Sequence, residues 1–215
     1  IASAFCAVDT RARLIRQANA GEAAARNRAI SEALGEWIAP LDADDLWLPR
    51  KIERQLAFSS APMTFTDRYN FGARGPVPEL QSDATPMKGG DLFLPLLLEG
   101  NFITLSSVML RRDSFDRVGG FYTGLQGTAD WDMWIRVAEQ DEVGFLPEPL
   151  VRYRFHTEGM SRNFRKMGRE RMQLMGRALA LDRARGLDWL TRRQIWAGTW
   201  RTNAWEGGQA GGRTP

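Results

Sequence analysis

The sequence predicts an α/β layered domain. Strand-like apolar runs alternate with helix-like stretches of period 3.6, the pattern of a sheet covered by helices. One such run, EWIAPL at 36–41, ends in a knot of carboxylates, Asp42, Asp44 and Asp45. Ligands in open α/β sheets gather at the carboxyl ends of strands, so the knot marks a candidate site.

The elements follow in order. Residues 21–34, GEAAARNRAISEAL, read as a helix because alanine is dense and Gly35 is a stop signal. EWIAPL is a short buried strand, and DADD is expected to continue it in extended form. Pro49 opens a helix, PRKIERQLAF, with Ile52 and Leu56 on its apolar face. PMTFT at 62–66 is a strand candidate, and 68–90 reads as a long loop rich in Gly and Pro. LSSVMLR at 105–111 is a strand, and RDSFDRVGGF a short helix stopped by Gly119 and Gly120. In DWDMWIRVA, Trp131, Trp134, Ile135 and Ala138 fall on one helix face, with Asp130 at the N-cap position. VGFLPEPLVRYRF at 143–155 is strand-like with a turn at its prolines. From about 165 to 200 the chain is helical, basic and rich in Trp, and GGQAGGRTP is expected to be flexible. The boundaries are 1–163 for the α/β domain, 164–205 for a basic helical tail and 206–215 for a flexible end.

Composition narrows the classes. A chain of 215 residues with 43% hydrophobic and 26% charged residues is globular. No apolar run approaches the ~20 residues of a membrane helix. The single cysteine, Cys6, excludes an internal disulfide and fits a reducing compartment. The start, IASAFCAV, lacks a basic n-region and reads as a chain cut into from upstream. The net charge of +3 hides an asymmetry. Residues 1–150 carry 15 Lys and Arg against 21 Asp and Glu, while 151–201 carry 13 against 4. The basic tail reads either as a solvated helix face or as a surface for an anionic membrane or phosphates.

Carboxylates this close repel one another, and burying one without a partner is costly. Oxygens of this kind share a hard divalent cation, Mg²⁺ or Mn²⁺, which takes its other ligands from substrate phosphates and water. The alternative is that Asp44 or Asp45 merely caps the turn into the next helix. The chain holds neither GxxxxGK nor GxGxxG, which argues against other phosphate-loop enzymes.

Three segments carry a family resemblance. AAARNRAISEALGEWIAPLDADDLWLPRKIERQL resembles the stretch around the acidic D-x-D motif of family 2 glycosyltransferases. GTADWDMWIRVA is similar to that family's acceptor-side motif, and YRFHTEGMSRN to its late Tyr-Arg-x-His segment. The matches come in the family's order over residues 11–163. The resemblance implies a GT-A fold, a Rossmann-like sheet flanked by helices. It also implies metal-assisted, inverting transfer of a sugar from a nucleotide-diphosphate sugar to an acceptor hydroxyl. The expected partners are that donor and a glycan or lipid-linked acceptor, with no nucleic acid. The expected location is cytoplasmic, with the tail at the inner face of the membrane as the membrane-binding alternative.

Roles carry over by motif. The resemblance makes Asp44 the metal ligand, with Asp45 a second and His156, the only histidine, a third at the metal or diphosphate. It places Asp42 on the ribose or the metal, and Arg26 and Asn27 at the nucleotide. Asp130 becomes the general base, with Asp132 its understudy. Trp131 has two readings, a sugar-stacking ring or a core residue. Ala129 stands where the family has Glu. The family's opening strands and base-holding Asp-Asp-Gly-Ser motif are not found, so the chain reads as a fragment. The rival readings are an idle remnant of such an enzyme, and a nucleotide-binding or membrane-surface module.

Overall fold

The computed structural model describes residues 2–58, 61–72, 78–155 and 164–211. Its order is α1 (Ala2–Val8), α2 (Glu22–Glu32), β1 (Trp37–Ile38), β2 (Leu46–Trp47), α3 (Lys51–Phe58) and β3 (Met63–Phe71). There follow α4 (Phe93–Leu98), a 3₁₀ turn (Leu105–Ser107), β4 (Met109–Arg111), α5 (Arg112–Val118), α6 (Ala129–Gln140) and β5 (Val143–Arg154). The chain then runs through α7 (Phe164–Ala178), α8 (Asp182–Arg185) and α9 (Trp189–Gly211).

The five strands form one mixed sheet in the order β1-β4-β3-β5-β2. Only β3 and β5 run parallel, and the long crossover between them carries α4 to α6. A parallel pair needs such a crossover, which places α6 against the sheet. Register slips twice near Asp67, opposite Pro147 and Pro149 of β5. Prolines cannot donate to the ladder, so the strand bulges there but does not turn back.

The core lies around α6. Trp134 is 1% exposed, and Met133, Ile135 and Val137 are fully buried. Trp131 is also buried, and its indole N–H donates to Leu96 O at 3.0 Å, so it is a core residue. Leu174, Met175, Leu179 and Ile195 of the basic tail join the same apolar cluster. The tail is thus three helices packed on the domain. Helix α9 runs to Gly211, into the GGQAGGRTP stretch.

Local differences from the expectation have plain causes. The strand at 36–41 shrinks to Trp37–Ile38, because only these residues pair with β4. The strand at 105–111 begins later, because Ser107 N–H turns back to Thr104 O at 3.0 Å. On α3 the inward face carries Lys51 and Gln55, while Leu56 is 44% exposed. The Gln55 amide donates to Ser107 O at 3.0 Å and Thr64 O at 3.3 Å, so polar pairing sets this face. Thr128 occupies the α6 N-cap position without a side-chain cap, and Asp130 lies inside the first turn.

Candidate functional site

The acidic knot is a tight turn. Asp45 N–H donates to Asp42 O at 3.1 Å, so the expected extended run through DADD does not form. A turn separates the two strands because β1 pairs with β4 while β2 pairs with β5, at opposite edges of the sheet.

Ser106, which the sequence pattern did not mark, and Arg154, the arginine of the Tyr-Arg-x-His segment, hold this turn. Ser106 is fully buried, and its hydroxyl accepts from Asp42 N–H at 3.1 Å. Its carbonyl accepts from the Trp47 indole at 2.8 Å, which locks the far end of the turn. On β5, Arg154 N–H donates to Asp45 Oδ1 at 2.9 Å, and its Nε donates to Asp44 O at 3.1 Å.

The three carboxylates differ. Asp44 is exposed and Asp42 half-buried, whereas Asp45 is 5% exposed. Asp45 Oδ2 is buried and takes no hydrogen bond among the described residues. Burial pushes the Asp45 carboxyl up, and the Ser106 hydroxyl and Arg154 N–H pull it partly back. Arg26 reaches across from α2, with Nη2 2.9 Å from Asp42 Oδ1 and 2.6 Å from Glu22 Oε2.

Asp130 faces this turn from α6. Its Oδ1 accepts from Trp131 N–H at 2.7 Å, and its Oδ2 from the Asn101 amide at 3.1 Å. Burial pushes its carboxyl up to about 6, opposed by these two bonds and by the charge of Arg26, and aided by Asp42. Arg26, Asp42 and Asp130 therefore share one electrostatic site. Asp130 also lines a cleft of about 410 Å³ walled by residues 97–101, α7 and α9.

Two expected site residues point elsewhere. Asp132 is 4% exposed and bound to Arg136 Nη2 at 2.7 Å and Arg177 Nε at 2.8 Å. Two positions along a helix turn a side chain by about 200°, which carries Asp132 away from the cleft. Asn27 is engaged by the backbone. Its amide donates to Phe121 O at 2.8 Å, and its Oδ1 accepts from Phe121 N–H at 2.9 Å. Gly119 and Gly120 both have positive φ, 77° and 73°, and a Cβ on Gly120 would lie 3.0 Å from Asn27 Oδ1. Asn27 thus fastens α2 to the turn after α5. His156 lies outside the described residues.

The turn offers an all-oxygen donor set with one buried oxygen unsatisfied, which suits Mg²⁺ or Mn²⁺. No group of three His, Cys, Asp or Glu able to hold a metal occurs among the described residues. A cation completed by phosphates and water does not require one.

The sequence profile of glycosyl transferase family 2 matches residues 1–119, more than half the chain. The chain belongs to glycosyl transferase family 2. An uncharacterised glycosyltransferase of Rickettsia conorii is 29% identical over 155 residues, covering 71% of this chain and 25% of the relative. The uncharacterised glycosyltransferase YwdF of Bacillus subtilis is 28% identical over 171 residues, covering 74% of this chain and 59% of YwdF. The chain thus spans between a quarter and three-fifths of these relatives.

Solved structures carry the same fold. Staphylococcus aureus TarS 1–349 in complex with UDP-GlcNAc superposes with a TM-score of 0.62 at 15% identity, over 86% of this chain and 54% of TarS. Pyrobaculum calidifontis mannosyltransferase PcManGT, in complex with GDP-Man and Mn²⁺, gives 0.58 at 15% identity, over 99% of this chain and 62% of PcManGT. This family 2 chain has the GT-A fold. No helix among its described residues is long and apolar enough to cross a membrane.

Proposed function

We propose that the protein transfers a sugar, with inversion, from a nucleotide-diphosphate sugar to an acceptor hydroxyl. The observation that carries this reading is Asp130, a carboxyl pushed up to about 6 at the mouth of a cleft, facing the Arg26–Asp42 pair. A general base works best with a pKa near the operating pH. Asp130 takes the proton of the acceptor hydroxyl. The hydroxyl oxygen then bonds to the anomeric carbon as the bond from that carbon to the diphosphate breaks. Asn101 and Trp131 N–H hold the Asp130 carboxylate in place.

The acidic turn is the donor side of this reading. Asp44 and Asp45 would hold Mn²⁺ or Mg²⁺, and Asp42 with Arg26 would meet the nucleotide. The cation neutralises charge on the leaving diphosphate when bound. Family membership supports the reading, as do the UDP-GlcNAc and GDP-Man bound by the structural neighbours.

The same reading places the protein in surface or lipid-linked glycan synthesis, at the cytoplasmic face of an anionic membrane. Trp189 and Trp200 of α9 are 66% and 60% exposed, and the Arg193 guanidinium lies 6.0 Å from the Trp189 ring. Helical spacing puts these three on one face, a combination suited to a lipid interface.

The test is release of nucleoside diphosphate from UDP-GlcNAc and GDP-mannose with Mn²⁺, for the wild type and Asp130→Asn. Acceptor-stimulated release that Asp130→Asn loses supports the reading. Equal release by both proteins removes Asp130 from the chemistry.

A further inference from the structure

The cleft beside Asp130 has a chemistry of its own. Leu97, Trp131 and Met175 give it an apolar floor, and Arg171 of α7 and Arg201 of α9 stand in its wall. Its two acidic residues among the described ones are Glu99 and Asp130. Glu99 is already neutralised, with Oε1 2.7 Å from Lys88 Nζ. Asp130 takes its hydrogen bonds from Asn101 and Trp131 N–H, and the cation that acts on it is Arg26. Arg201 is exposed and has no hydrogen bond or ion pair among the described residues. The cleft therefore offers an uncompensated guanidinium over an apolar floor. A guanidinium fork matches a phosphate or carboxylate bidentately, and the bond is stronger than the single one it gives a neutral sugar hydroxyl.

We propose that this cleft is an anion subsite for the acceptor, in which Arg201 holds a phosphate or carboxylate beside the hydroxyl that Asp130 deprotonates, while Arg171 is engaged with Asn203 Oδ1 at 3.2 Å. The inference rests on the transferase reading of Asp130 and adds the substrate class: an acceptor that carries negative charge next to an apolar portion. It also gives the basic tail a part in the site, since α9 supplies Arg201. Volume agrees, because about 410 Å³ holds one sugar ring with an attached anionic group.

The experiment is calorimetric titration with glucose 1-phosphate and with glucose, using the wild type, Arg201→Gln, Arg201→Lys and Gly198→Met. A Cβ on Gly198 would meet only Leu98 O, at 3.8 Å, so Gly198→Met fills the cleft without a backbone clash. Circular dichroism checks each fold. Glucose 1-phosphate is expected to bind at least about tenfold more tightly than glucose. Arg201→Gln is expected to abolish most of that difference, Arg201→Lys to retain part of it, and Gly198→Met to block both ligands. Vesicles of phosphatidylglycerol and phosphatidylcholine distinguish the source of the anion. Preference for phosphatidylglycerol that Arg201→Gln loses, with weak glucose 1-phosphate binding, supports the subsite and assigns its anion to a lipid headgroup. If neither probe distinguishes charged from neutral forms, or folded Arg201→Gln matches the wild type with both, the subsite is wrong. UDP and GDP titrations report the donor turn separately, so loss of the anion subsite does not read as loss of the transferase site.

Discussion

Asp130 and Asp132 leave the same first turn of α6 and reach opposite environments. Asp130 opens onto the cleft with its carboxyl pushed up to about 6. Asp132 is held between Arg136 at 2.7 Å and Arg177 at 2.8 Å, which ties α6 to α7. Two carboxylates that look interchangeable in the sequence thus divide into one that opens onto a cleft and one locked between two guanidiniums.

Asp132→Asn should destabilise the fold by about 3–5 kcal/mol, because it leaves two guanidiniums facing an uncharged amide in a buried site. Urea unfolding reads this directly. A loss of transfer activity without loss of stability would return Asp132 to the chemistry.

Asp130 should give both rate and stability a signature near pH 6. Its carboxyl is raised from 3.8 to about 6 in the fold, so the folded state holds the proton more tightly than the unfolded chain. The stability this contributes is full below the unfolded value and is lost as pH rises through about 6. Asp130→Asn should therefore melt above the wild type at about pH 8 and close to it at about pH 3. The transfer rate should fall with protonation below about pH 6, since the base must be unprotonated. A melting difference that is the same at both pH values contradicts this account.

Lys51 is the buried cation of α3. Its ammonium donates to Gln55 Oε1 at 2.6 Å and lies 4.5 Å from the Trp47 ring, and burial lowers its pKa from 10.5 to about 7. Between these values the unfolded chain binds more protons, so stability rises with pH across that window. Lys51→Met should stabilise the protein at about pH 6, and the gain should shrink by about pH 9. Thermal melts at the two pH values decide it; a gain that grows with pH reverses the sign and rejects the burial argument.

Asn27→Ala should cost about 1–3 kcal/mol, since it leaves Phe121 N–H and C=O without their side-chain partner. Asn27→Asp should recover little, because it accepts from Phe121 N–H but cannot donate to the carbonyl. Nucleotide affinity of the folded Asn27→Ala protein should match the wild type. A weakened affinity would put Asn27 at the donor.

The sequence carried the local signals well. The helical periodicity of Trp131, Trp134, Ile135 and Ala138 appears as the buried face of α6. Gly119, read as a stop, ends α5 in the left-handed region. The acidic motif and the base candidate, found 88 positions apart, act on one another in the fold. What stayed hidden is long-range. Ser106 and Arg154 lie 64 and 109 positions from their partners in the acidic turn, and although Arg154 falls in the Tyr-Arg-x-His segment, no local pattern pairs either residue with that turn. Asn27 sits inside a motif that suggested nucleotide, yet its partner is a backbone 94 positions away. On α3 the pattern marked only Ile52 and Leu56, because periodicity counts apolar residues and cannot see a polar pair such as Lys51 and Gln55 satisfied inside.

The central claim is that the turn at Asp42, Asp44 and Asp45 is a metal-dependent donor site. Its most direct measurement is calorimetric titration of the chain with UDP and GDP, with and without Mn²⁺, beside Asp44→Asn. The account predicts binding that needs Mn²⁺ and falls at least about tenfold in Asp44→Asn. Binding that ignores both the metal and the substitution, or no binding by a chain shown to be folded, would contradict it.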